Sequence, residues 1–128
     1  MELKVYYEDT DCGGVVYYAN YLRYFERART EHVAQRGIDL PAYQAEGVVF
    51  AVASAAIEYK SPARYGDILK IETAIEGVKR SSFTVQYVIR RKKDGAVLVT
   101  GETRMACVNR EMKPIRLPDD MRAALLAP

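Results

Sequence analysis

Only one stretch of this 128-residue chain carries a sustained helical period, and that narrows the folds open to it more than any other feature. Tyr18, Leu22, Phe25, Ala28 or Arg29, and Val33 recur at three- and four-residue spacing, with Arg23, Glu26, Arg27, Thr30 and Glu31 on the other side. The pattern predicts an amphipathic helix of about five turns over 18–36. Its end is signalled by Arg36, a cation for the last carbonyls, by Gly37, which can turn left-handed, and by Ile38, which can fold back. Asp39-Leu40-Pro41 then reads as the cap and first turn of a short second helix closed by Gly47.

Around this helix the chain reads almost entirely as strand. Leu3 to Tyr7 is a short β-favouring run, ended by the turn-forming residues Asp9 to Gly14. GVVFAVASAAIEY, residues 47–59, is apolar until Glu58, so it is expected to be buried on both faces, either central in a sheet or at an interface. After a turn at Ser61–Asp67, Leu69, Ile71, Thr73 and Ile75 alternate with Lys70, Glu72, Ala74 and Glu76, the mark of a strand with one dry face. Phe83, Val85, Tyr87 and Ile89 alternate likewise, and Lys93-Asp94-Gly95 signals a hairpin into a last strand from Ala96 to about Asn109. Leu117-Pro118-Asp119-Asp120 starts a final short helix.

One short strand, one long helix and four antiparallel strands predict an α+β domain whose sheet wraps the helix. Its length suits a single domain over 1–128. One sheet around one helix leaves apolar strand area uncovered, so at least a dimer with joined sheets is expected. The formal charge of +2, from 19 basic and 17 acidic residues, is too balanced for a protein that grips long stretches of nucleic acid. With no apolar run long enough for a bilayer, no transmembrane segment and no signal peptide are read, and a cytoplasmic location is expected. Cys12 and Cys107, the two cysteines, show no metal-ligand spacing.

Chemistry is concentrated where the acid-and-glycine turn meets the helix. The first N–H groups of a helix lack internal partners and sit at its positive end, so they can hold a carbonyl oxygen as it becomes an oxyanion. Gly13 and Gly14 allow close backbone approach, and a nearby carboxylate can act as general base toward water or as nucleophile. Such a pairing suits an activated acyl group, above all a thioester, whose thiolate leaves without a strong acid. Cys12 could compete as nucleophile only with a base. His32, the sole histidine, lies 14 residues along the helix from Tyr18. At ~1.5 Å per residue that is about 21 Å, which rules out a dyad within one subunit. His32 reads instead as a packing or surface residue whose cationic form is mildly favoured near the helix C-terminus. Of the acids, Glu8 and Asp9 read as solvated or structural, whereas Asp11 lies closest to the glycines.

Tyr7-x-x-x-Asp11-x-x-Gly14-x-Val16-x-Tyr18-x-x-Tyr21, running into Leu22-Arg23-Tyr24-Phe25-Glu26-Arg27-Ala28-Arg29, resembles the signature of hotdog-fold acyl-CoA thioesterases, the group containing 4-hydroxybenzoyl-CoA thioesterase and the Tol-Pal-associated thioesterases. The likeness extends through 48–59, Pro62…Gly66-Asp67 and Met112-Lys113-Pro114. It implies a five-stranded antiparallel sheet around one long helix, a dimer with a shared sheet, and often a homotetramer built as a dimer of dimers. It implies hydrolysis of an acyl-CoA to free acid and coenzyme A without metal or cofactor, with Asp11 as catalytic carboxylate. The backbone N–H of Tyr18 would polarise the thioester carbonyl. Tyr18 stands where Tol-Pal-associated members usually carry histidine and hydroxybenzoyl-CoA enzymes can carry tyrosine, which fits a backbone role.

Tyr7, four residues before Asp11, reads as orienting that carboxylate, walling the pocket, or packing on the helix as a strand residue. By the same resemblance Gly14 and Val16 would belong to the substrate site, and Phe50, Ala51, Val52 and Ala53 would line the pantetheine and acyl channel near a dimer interface. Lys79, Arg80 and Ser81 would hold the phosphates of coenzyme A, with Arg90-Arg91-Lys92-Lys93 as a rival basic patch. A hydratase or dehydratase on the same fold would want a histidine near the acyl carbon. The remaining alternative is a non-enzymatic acyl-binding or envelope-assembly module, in which the turn merely caps the helix.

Overall fold

The computed structural model describes residues 1–128. Five strands, β1 (Glu2–Lys4), β2 (Val49–Tyr59), β3 (Ile68–Glu76), β4 (Ser82–Arg91) and β5 (Val97–Val108), form one sheet in the order β1-β3-β4-β5-β2. Every pairing is antiparallel, and β3, β4 and β5 make the expected meander, with Ile71 opposite Ile89 and Ile89 opposite Val99. Phe83, Val85, Tyr87 and Ile89 are all buried, as their alternation requires. The helices are α1 (Asn20–Gln35), α2 (Leu40–Ala45) and α3 (Asp119–Leu126). This is the expected hotdog arrangement of one long helix held against a five-stranded sheet.

The Phe25 ring of α1 rests on the sheet where a side chain is missing. A methyl group at Gly101 would overlap the Phe25 ring, which stacks on Tyr87 with centroids 4.2 Å apart and planes 9° from parallel. Beneath it the Tyr87 hydroxyl lies 2.7 Å from Thr103 Oγ1 and accepts from Arg29 Nη1 at 3.0 Å, so the polar end of a buried ring is satisfied. At the far end of α1, Gly37 takes φ +81° and Ile38 folds back into the core, as read from the sequence. Asp39 caps α2, accepting from the Ala42 N–H at 3.2 Å. Arg36, read as a cation for the last carbonyls of α1, donates instead to the carbonyls of Ala124, Leu125 and Ala127, at the C-terminal end of α3.

The structure corrects several expectations. α1 begins at Asn20, and its buried face is Tyr21, Tyr24, Phe25, Ala28 and Val33, while Tyr18 and Leu22 are exposed. Tyr18 precedes the first helical turn, and Tyr21 can be buried because its hydroxyl accepts the Ala63 N–H at 3.1 Å. The first strand stops at Lys4, since Val5 bonds to Asp67 and Gly66 and the chain then turns through a 3-10 segment at Tyr7–Asp9. β2 is an edge strand and not a central one: Val52 to Ala56 are exposed, and a bulge shifts the register between Val52 and Ser54. A continuous apolar run reads the same whether its cover comes from its own chain or from elsewhere. His32 is also corrected: burial and the neighbouring Arg36 charge lower its pKa, outweighing the helix C-terminus, and its Nε2 accepts from Arg36 Nε at 3.2 Å.

Candidate active site

The acid-and-glycine turn is a small hairpin tied down on both sides. Thr10 bridges Val16, the Asp11 N–H donates to the Val15 carbonyl at 2.9 Å, and the Gly14 N–H to the Asp11 carbonyl at 3.1 Å. The hairpin rests on the segment after β2 through Val16 N–H to Ala63 O and Tyr65 N–H to Gly14 O. Gly14 sits at φ +76°, where other residues are strained. At Gly13 a methyl group would lie 3.2 Å from Asp11 Oδ1, the same oxygen that accepts the Gly13 N–H at 2.8 Å. The glycine therefore lets the carboxylate fold over its own turn. Asp11 is exposed with its second oxygen unengaged, so it is open to water or a ligand.

Beside this turn α1 starts without a capping side chain. Its cap position is Ala19, and the N–H groups of Tyr18 and Ala19 have no acceptor in the chain. The Tyr18 carbonyl accepts from the Tyr59 hydroxyl at 3.1 Å, which orients that peptide from behind and ties the helix start to the end of β2. Tyr7, exposed, lies beside Tyr65 with ring centroids 5.8 Å apart and makes no bond to Asp11. Val16 is buried under the turn and packs into the core. Asp9, by contrast, is a buried acid with both oxygens occupied, in keeping with the structural option read for it.

The other residues singled out from the sequence lie at the opposite end of the sheet. Phe50 is about nine residues along β2 from Tyr59, or ~30 Å at ~3.3 Å per residue. There it meets Phe83 edge to face at 5.3 Å and lines a cavity of about 340 Å³ with Glu26, Arg29, Val49 and Met121. The cavity is mostly apolar and contains none of the turn residues. Ala51, Val52 and Ala53 do not line it; the last two face out from the edge strand. Lys79, Arg80 and Ser81 belong to this same end, since the Ser81 carbonyl accepts the Cys107 N–H and Cys107 lies opposite Phe50. Lys79 and Arg80 are exposed and form no ion pair. In the rival patch Arg90, Arg91 and Lys92 are engaged by Glu72, by Asp67 and Asp94, and by Glu2. One chain thus presents two half-sites, an acid with free amides at one end and an apolar cavity beside free cations at the other. Sequence reasoning missed Tyr59, Glu26 and Arg29, which only the tertiary fold brings into place.

The sequence profile of the thioesterase-like superfamily matches residues 5–125. The chain belongs to this superfamily. Acyl-CoA thioester hydrolase YbgC of Escherichia coli is 40% identical over 124 residues, covering 94% of this chain and 90% of that protein. Acyl-CoA thioesterase YbgC of Haemophilus influenzae is 37% identical, covering 95% and 90%. A 1,4-dihydroxy-2-naphthoyl-CoA thioesterase from Synechocystis superposes with a TM-score of 0.90 at 25% identity, over 98% of this chain and 93% of its own. This member of the thioesterase-like superfamily has no group of three or more histidine, cysteine or acidic side chains placed to hold a metal ion, and no helix long and apolar enough to cross a membrane.

Proposed function

We propose that this thioesterase hydrolyses an acyl-CoA to a free carboxylic acid and coenzyme A, with Asp11 as the reacting carboxylate and no metal or cofactor. The observation that carries the reading is the pairing of an open carboxylate at Asp11 with unengaged N–H groups at Tyr18 and Ala19. The thioester oxygen accepts from the Tyr18 N–H, at the positive end of α1, and gains negative charge there as the carbonyl carbon becomes tetrahedral. Asp11 either removes a proton from the attacking water or attacks the carbonyl carbon itself. In the second route the C–S bond breaks, the thiolate leaves, and water then cleaves the resulting anhydride to restore Asp11. In a single turnover in oxygen-18 water, label found in the Asp11 carboxylate supports the anhydride route, with water attacking the Asp11 carboxyl carbon.

The two half-sites become one site if β2 pairs antiparallel with β2 of a second copy. Such a two-fold places the Phe50 end of one copy opposite the Tyr59 end of the other, so that Asp11 and Tyr18 face Phe50–Ala53 and Lys79–Ser81 of the neighbour. The exposed apolar edge of β2 supports that assembly, since an uncovered strand of this kind invites a partner. The acyl group then enters the cavity and the phosphates meet Lys79 and Arg80. A panel of acyl-CoAs read with a thiol reagent tests the function: wild type releases thiol, and Asp11→Asn lowers kcat by roughly 10²- to 10⁴-fold. Wild-type rates in Asp11→Asn sink the proposed mechanism, and no thiol from any substrate leaves a binding module instead.

A further inference from the structure

We infer that Asp9 is a positioning residue for the Asp11 site, a buried clamp that fixes the catalytic turn against the unengaged N–H groups at the start of α1. The inference rests on the reading of Asp11 as the reacting carboxylate. Asp9 is the one buried acid in the chain, 7% exposed, and burying a carboxylate is costly unless its oxygens are engaged. Both are. Oδ2 accepts the Tyr6 N–H at 2.9 Å and Oδ1 accepts Asn20 Nδ2 at 3.0 Å, while the Asp9 carbonyl accepts the Tyr17 N–H at 3.0 Å.

These partners bracket the turn. Tyr6 precedes it, and Tyr17 and Asn20 follow it, so Asp9 closes the loop at its base while Asp11 projects at its tip. Asn20 is the first residue of α1, directly after Ala19. The Asn20 amide therefore links the carboxylate of Asp9 to the peptide groups that would bind the thioester oxygen. The hydroxyl of Tyr24, one turn into α1 and fully buried, lies beside Asp9 and Asn20 without meeting hydrogen-bond geometry to either. Asp9 is the only acceptor that the Tyr6 N–H and the Asn20 amide have, so its removal takes away the partner of both. An error of about 1 Å in the placing of reacting groups costs on the order of 10²-fold in rate.

The test is an exchange of donor and acceptor. Asp9→Asn sets an amide against the Asn20 amide, and kcat is expected to fall 10- to 100-fold with KM within twofold of wild type. In the double variant Asp9→Asn/Asn20→Asp, the amide introduced at position 9 still accepts from Tyr6 and now donates to the carboxylate introduced at position 20. That variant is expected to recover kcat to within about threefold. Asp11→Asn is assayed beside them. Activity surviving Asp11→Asn removes the active-site reading and this inference with it; an inactive Asp11→Asn beside a wild-type kcat in Asp9→Asn overturns the positioning role alone. A kcat loss equal to the loss of folded protein by circular dichroism, or one the double variant does not recover, also overturns it. Should Asp9→Asn not fold, Asn20→Ala carries the test: a several-fold lower kcat at unchanged KM supports the clamp, and an unchanged kcat sinks it.

Discussion

Gly13 is the residue whose replacement separates geometry from chemistry. A side chain there crowds Asp11 Oδ1 at 3.2 Å, so Gly13→Ala pushes the carboxylate aside by a few tenths of an ångström while leaving its charge intact. The expected result is a several-fold lower kcat in the thiol-release assay with an unchanged melting temperature, less than the roughly 10²-fold cost of misplacement by about 1 Å. His32 governs a different property. Burial, Arg36 and the N-terminal ammonium all lower its pKa from the ordinary 6.5. The unfolded chain therefore binds the proton more readily, and the stability due to neutral His32 is present above about pH 6.5 and lost as the pH falls below it. Urea midpoints of wild type should drop between pH 7.5 and 5.5, and His32→Gln should flatten that part of the profile.

At the scale of elements, the seat of α1 on the sheet depends on one glycine in β5. Gly101→Ala forces Phe25 off Tyr87 and is expected to destabilise the fold by about 1–3 kcal/mol, read from the urea midpoint. The regular strands were legible in the sequence because β3 and β4 each have one wet and one dry face, which the period of two records directly. The phase of α1 was less legible. Phe25, Ala28 and Val33 were read on the buried face, but in the first turn Tyr21 and Tyr24 go under in place of Tyr18 and Leu22, and only the fold supplies the Ala63 N–H that lets Tyr21 do so. For β2 the sequence left a central place and an interface open, and only the central one is excluded, because an apolar run records the need for a partner without saying where the partner is.

For the whole molecule, the central expectation is that activity requires two copies. Ala55 lies on the exposed middle of β2, so Ala55→Lys sets like charges opposite each other across a two-fold there. Sedimentation should then report a monomer, folded to the same melting temperature, that releases no thiol although Asp11 is intact. Full activity in such a monomer would place the complete site within one chain. The site was legible in proportion to its locality. Asp11, Gly13 and Gly14 mark a turn in consecutive residues, whereas Phe50–Ala53 and Lys79–Ser81 entered only through resemblance and lie at the far end of the same sheet.

The hairpin around Asp11 also bears on the timing of synthesis. Its supports at Ala63 and Tyr65 come on the order of fifty residues later in the chain. A ribosome will have made Asp11 and the amides at Tyr18 and Ala19 well before the strut that shapes them emerges. On this reading the turn takes its shape late, with closure of the sheet, and only a chain so closed can meet its partner.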